Sequence, residues 1–134
     1  MIEGGCLCGA VRYKTQGPLR PVIACHCQQC RKTTGNYVTA TSAPRGGLII
    51  TGEPTWYASS ETAKRAFCPL CGSQLFWDGG GENFSIMAGT IDGETGLTVA
   101  GHIFIADKGD YYDIPEGIPA AEQDDPAFTT WVST

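Results

Sequence analysis

The sequence predicts an all-β fold, and three observations carry that expectation. Hydrophobic periodicity is mostly two, the apolar runs are short, and 18 glycines and 8 prolines punctuate 134 residues. No segment shows the 3.6-residue apolar spacing of a long amphipathic helix. The length predicts one domain. With 42% hydrophobic and 17% charged residues, the chain can bury a core and is not of the disordered class.

The strands follow in order. Ala10-Val11-Arg12-Tyr13-Lys14 alternates apolar and polar after its first residue. Tyr37-Val38-Thr39-Ala40-Thr41 is short and rich in β-branched residues. Leu48-Ile49-Ile50-Thr51 ends at Gly52, and Trp56-Tyr57-Ala58 follows Pro54. Ala66-Phe67 leads into a cysteine turn and Gln74-Leu75-Phe76-Trp77 leads out, which predicts a hairpin with a metal at its tip. Phe84-Ser85-Ile86-Met87-Ala88 and the run from His102 to Ala106 complete the set. Residues 28–34 predict one short turn of helix. Residues 119–134, with Pro119, Pro126 and several acids, read as a peripheral tail that packs Phe128 and Trp131 back on the body.

Charge excludes some partners. The net charge is −5, and its distribution is uneven. Residues 1–106 hold seven acids and eight bases, whereas residues 107–134 hold seven acids and only Lys108. Nucleic-acid binding rests on Lys/Arg neutralising phosphates, so this balance argues against it. The longest apolar runs fall far short of the roughly 18 residues of a membrane span. Met1-Ile2-Glu3-Gly4-Gly5 has neither the basic nor the apolar part of a secretory signal.

The seven cysteines fall in three tight groups: Cys6-x-Cys8, Cys25-x-Cys27-x-x-Cys30 and Cys68-x-x-Cys71. A disulfide framework calls for an even number, and a bridge within Cys-x-Cys is strained. A redox dithiol needs one Cys-x-x-Cys in a βαβ setting, which is missing, and leaves five cysteines over. Metal binding uses all seven. A structural zinc takes four ligands and a catalytic zinc three, and seven is four plus three.

Spacing alone does not fix the pairing. Gly9 follows Cys8 and Gly72 follows Cys71, and glycine there lets the backbone turn its N–H groups toward the sulfurs. These two turns look like halves of a closed four-cysteine site. Cys25, Cys27 and Cys30 can supply three ligands from one segment and are the better candidates for an open site. Four thiolates around Zn²⁺ leave −2 and three leave −1, so the second ion is the stronger Lewis acid and can take a thiol as thiolate. His26 lies between Cys25 and Cys27; it is either a fourth ligand or points away, and its neighbours favour the latter. His102 reads either as a hydrogen-bonded core histidine or as a contact supporting the site or substrate. Arg20, Arg31, Lys32, Lys64 and Arg65 are candidates for a substrate carboxylate, and Asp92 and His102 for a general acid. Thiolate-rich sites fit a reducing compartment and point to the cytoplasm.

These motifs resemble one family. Gly5-Cys6-Leu7-Cys8-Gly9-Ala10-Val11 opens the chain as the glutathione-dependent formaldehyde-activating enzyme family opens. Cys25-His26-Cys27-Gln28-Gln29-Cys30-Arg31 with Gly35 is similar to its second motif, and Phe67-Cys68-Pro69-Leu70-Cys71-Gly72-Ser73-Gln74-Leu75-Phe76 to its third. Ala88-Gly89-Thr90-Ile91-Asp92 and His102-Ile103-Phe104 also resemble its pattern. The likeness covers a zinc-binding domain over residues 1–118 and is to the short members. It implies a β-tent of short antiparallel strands with zinc-binding hairpin turns. It implies two zinc ions per chain: a structural one on Cys6, Cys8, Cys68 and Cys71, and a catalytic one on Cys25, Cys27 and Cys30. The implied reaction is a carbon–sulfur lyase step joining glutathione and formaldehyde as S-hydroxymethylglutathione. The implied partner is a small thiol, and the charge balance and short apolar runs add the expectation of neither nucleic acid nor membrane. The rival expectation is a non-enzymatic zinc module that binds a protein partner or senses metal.

Overall fold

A computed structural model describes residues 1–129. In chain order its first strands are β1 (Ile2–Gly5), β2 (Arg12–Thr15), β3 (Val22–Cys25), β4 (Val38–Pro44) and β5 (Ile49–Thr51). Then come β6 (Thr55–Ala58), β7 (Lys64–Phe67), β8 (Gln74–Asp78), β9 (Asn83–Met87) and β10 (Val99–Ile103). The helices are α1 (Gln28–Thr34) and the single turn α2 (Pro126–Thr129). The protein is mainly β with antiparallel sheets. Among the described residues, no helix is long and apolar enough to cross a membrane.

The chain forms two compact units, each built from separate stretches. The first comprises Met1–Leu19 and Thr41–Gly96. Here β1, β2 and β5 form an antiparallel sheet, and β6, β7, β8 and β9 pair in sequence as antiparallel neighbours. In β8 a register shift opposite β7 leaves Leu75 as an extra residue between Gln74 and Phe76, which interrupts the alternation, and Leu75 and Phe76 are both fully buried. Tyr13 meets Phe76 edge-on at 5.3 Å between ring centres, and Phe84 meets Phe76 edge-on at 6.1 Å. Such pairs add to simple area burial. Cys6 and Cys68 are part of this same core cluster.

Two hairpins of this unit end in cysteine turns. Gly5 pairs with Arg12 across β1 and β2, which leaves residues 6–11 as the tip. Phe67 pairs with Gln74 across β7 and β8, which leaves residues 68–73 as the other tip.

The second unit comprises Arg20–Ala40 and the chain from Leu97 onward. β3 pairs antiparallel with residues 38–40 of β4 and parallel with β10. The parallel pair departs from the antiparallel expectation; such a pair requires a long crossover, and more than seventy residues intervene between β3 and β10. The expected strand from His102 to Ala106 is displaced. β10 ends at Ile103, because Phe104 adopts a left-handed backbone with φ 55°, and a 3₁₀ turn follows over Ile105–Asp107. No glycine marks this turn. The first residues of the C-terminal segment run beside β10: the His102 N–H donates to the Pro119 carbonyl at 2.9 Å, and the Ala121 N–H donates to the His102 carbonyl at 2.9 Å. Phe128 lies against Gly101, whereas Trp131 is outside the described residues.

Candidate metal centres

In the first unit the Cys6, Cys8, Cys68 and Cys71 sulfurs all lie within 4.8 Å of one another. The Cys6 and Cys8 sulfurs are 3.7 Å apart, and those of Cys8 and Cys68 3.8 Å. A tetrahedron with metal–sulfur bonds of about 2.3 Å has sulfur–sulfur edges of about 3.8 Å, so this spacing suits one enclosed ion. It is far beyond the disulfide length of about 2.05 Å, and all seven cysteines are free thiols. The glycine argument holds here: Gly9 and Gly72 both have positive φ, 83° and 78°. The Gly72 N–H closes its turn on the Cys68 carbonyl at 2.8 Å. The Val11 N–H donates to the Cys6 sulfur at 3.2 Å, and Ser73 Oγ lies 3.2 Å from the Cys71 sulfur. Ser73 Oγ also accepts from the Leu7 N–H at 3.0 Å, which ties the two tips together. The hydroxyl and N–H of Ser73 hold the Cys71 thiol at about 5, ready to ligate as thiolate.

In the second unit Cys25, Cys27 and Cys30 form the other cluster, again within 4.8 Å. Cys25 ends β3. Cys27 is the N-cap of α1, where its sulfur accepts from the Cys30 N–H at 3.3 Å. Cys30 sits in the first turn of α1 and is buried. Gly35, with φ 82°, closes the helix by donating to the Arg31 carbonyl at 2.8 Å. The neighbouring Cys27 and Cys30 sulfurs, with burial, push the Cys25 thiol far above its usual range. Three crowded thiols resist ionising without a cation among them, and a divalent metal meets that need. The donor sets of both clusters therefore fit a soft, thiolate-loving ion.

His26 points away from the cluster. Its ring is buried, with Nδ1 2.6 Å from Tyr112 Oη and Nε2 2.9 Å from His102 Nδ1. Tyr37 packs on it at 4.5 Å between ring centres. Burial, with His102 and Lys108 adding, lowers His26 to about 4, and burial also lowers His102, so both rings are neutral near pH 7. Lys108 Nζ donates to the Tyr112 carbonyl at 2.7 Å. Tyr112 and Lys108 carried no sequence signal beyond lying in an acidic stretch.

The candidate cations separate. Arg31 is half-buried on α1, with Nε lacking a hydrogen-bond partner among the described residues, and Lys32 is exposed. Arg20 is buried and donates to the Ala40 carbonyl at 3.0 Å, so its guanidinium is already engaged. Lys64 and Arg65 are on β7 of the first unit, Lys64 over the Trp56 ring and Arg65 buried. Asp92, also of the first unit, pairs with Arg12, which holds its carboxyl below the usual range.

A mainly β protein with one four-cysteine and one three-cysteine cluster, each spaced to hold a metal ion, defines a class of protein. Residues 1–107 match the family described as glutathione-dependent formaldehyde-activating enzyme, and the chain belongs to that enzyme family. It is 32% identical over 114 residues to an uncharacterized lyase of Schizosaccharomyces pombe, covering 83% of each chain. It is 35% identical over 86 residues to a Halomonas elongata protein with the provisional name of glutathione-dependent formaldehyde-activating enzyme, covering 57% of this chain and 55% of that one. A crystal structure of a Rhodobacter sphaeroides protein shares the fold, with a TM-score of 0.59, 24% identity, and coverage of 70% of this chain and 91% of that one.

Proposed function

We propose that both clusters hold zinc and that the three-cysteine site carries out a carbon–sulfur lyase reaction on a small thiol adduct. The family name and that of the Halomonas elongata relative support glutathione as the thiol and formaldehyde as the electrophile, and the name of the Schizosaccharomyces pombe relative supports a lyase. In the forward direction a bond forms between the thiol sulfur and the formaldehyde carbon, and the thiol proton ends on the carbonyl oxygen, giving S-hydroxymethylglutathione. A zinc ion at the site would supply Lewis acidity that lowers the thiol's pKa.

One observation carries the reading: among the described residues, the second cluster has three ligands and no fourth. His26, the nearest alternative, is committed to His102 and Tyr112. Cys25, Cys27 and Cys30 would hold the ion and leave one position for substrate, while Cys6, Cys8, Cys68 and Cys71 would close theirs. Arg31 follows Cys30 on α1 and is half-buried, and its positive charge suits a carboxylate of the substrate. A cytoplasmic setting, rich in reduced thiols, belongs to the same proposal.

The test uses zinc-loaded protein, glutathione and formaldehyde, with exchange followed by NMR. Acceleration over buffer that is lost in Cys27→Ser is the expected result. No acceleration removes this substrate pair. About two zinc ions per chain support the enzyme; about one favours a binding or sensing module.

A further inference from the structure

His26 lies between two cysteines and is held at more points than a space-filling ring requires. Its backbone N–H donates to the Ile103 carbonyl at 3.0 Å. Its two ring nitrogens lie 2.6 Å from Tyr112 Oη and 2.9 Å from His102 Nδ1. Cys27, the next residue, has extended backbone angles, φ −65° and ψ 163°. In extended chain, alternate side chains face opposite ways. Pinning the His26 ring on one side therefore turns the flanking Cys25 and Cys27 sulfurs to the other.

Either end of this line can supply the proton, since a hydroxyl and a ring N–H are both donors. Take the Tyr112 hydroxyl as the donor to His26 Nδ1. The His26 proton is then on Nε2 and is donated to His102 Nδ1, which places the His102 proton on its own Nε2. That last nitrogen is buried and has no hydrogen-bond partner in the described structure, whichever way the line of protons runs. An orphaned buried N–H weakens a fold, and an apolar side chain would avoid it. The line of hydrogen bonds is therefore a poor stabiliser, and its geometry serves something else.

We propose that His26 is a positioning residue: with Tyr112 as its donor and His102 as its acceptor, it fixes the direction of Cys25 and Cys27 and so sets the metal affinity of the three-cysteine site. This rests on the reading that the site binds metal. Partners that orient ligands from behind commonly change affinity 10–100-fold when removed.

The experiment is a cobalt(II) titration of the full chain, in which thiolate charge-transfer and d–d bands resolve two sites. Tyr112→Phe keeps the ring and removes the donor. It is expected to weaken the second site about 10–100-fold and to alter its d–d bands, with the four-cysteine site unchanged. His102→Leu is expected to do the same, and His102→Gln, which keeps an acceptor for the His26 N–H, to restore most of the affinity. Long-range ¹H–¹⁵N correlation on the zinc-loaded protein reads the tautomers directly; both rings are expected to carry the proton on Nε2. Two tight sites in the wild type, with Tyr112→Phe and His102→Leu both binding cobalt like it, would overturn the positioning role alone. A wild type that takes up one metal would overturn the metal reading as well.

Discussion

The two cysteine clusters use the same donor atom on opposite scaffolds. The four-cysteine cluster joins two hairpin tips whose sulfurs come from residues about sixty positions apart, and two of its members belong to the aromatic core of their unit. The three-cysteine cluster comes from one six-residue stretch, where a strand ends and a helix begins. A metal that joins distant segments closes a long loop and restrains the unfolded chain, as a cross-link does. A metal held by neighbours closes almost nothing. The difference fits the division of labour proposed above, in which the first site serves folding and the second serves chemistry.

The largest expected effect tests the first half of that contrast. Cys68→Ala should give unfolded or insoluble protein, because a structural zinc supplies on the order of 10 kcal/mol of folding free energy. A variant that expresses in soluble form and melts like the wild type would remove the structural role. Next comes the core on which the cluster rests. Phe76→Ala deletes a fully buried ring that touches Tyr13, Trp56 and Phe84, and should cost about 3–5 kcal/mol by denaturant titration. A smaller loss would mean that the metal, rather than the core, carries that unit.

Electrostatics gives a middle-sized effect and a sign. Asp78 is buried on β8 and receives the Arg45 guanidinium at 2.6 Å and 3.1 Å, and this pairing holds its carboxyl below the ordinary value of 3.8. A carboxyl depressed in the folded state stabilises above its unfolded pKa, and that contribution disappears as pH falls through the folded pKa. Asp78→Asn should lose on the order of 2 kcal/mol at pH 7 and show a weaker loss of stability from pH 5 to pH 2 than the wild type. Parallel acid-denaturation curves would contradict the assignment. The smallest stability effect, under about 1 kcal/mol, is expected from Cys27→Ser, since serine is also a good N-cap for α1. That variant should lose turnover and one metal while its melting stays near that of the wild type. A large fall in its melting temperature would erase the contrast between the clusters.

Much of the four-cysteine site was legible in the sequence because its chemistry is local. Gly9 and Gly72 follow the second cysteine of each turn, and both take the positive φ that such a turn demands. The helix over residues 28–34 was likewise set by short-range signals. The pattern failed where the cause lies far along the chain. β3 is four residues long, and its Val22, Ile23 and Ala24 are buried on both faces, so no alternation marks it. β1 contains Gly4 and Gly5, which weaken any strand signal. The strand near His102 was misplaced because Phe104 turns left-handed without a glycine. The partners of His26 lie 76 and 86 residues away, and a motif reading stops at the ends of the motif.

The division of labour between the clusters is tested most directly by native mass spectrometry of the zinc-loaded chain during titration with a chelator, with circular dichroism recorded in parallel. The expected course is stepwise: one zinc leaves while the β spectrum persists, and loss of the second coincides with unfolding. Loss of both ions in one step, or collapse of the spectrum with the first, would contradict it.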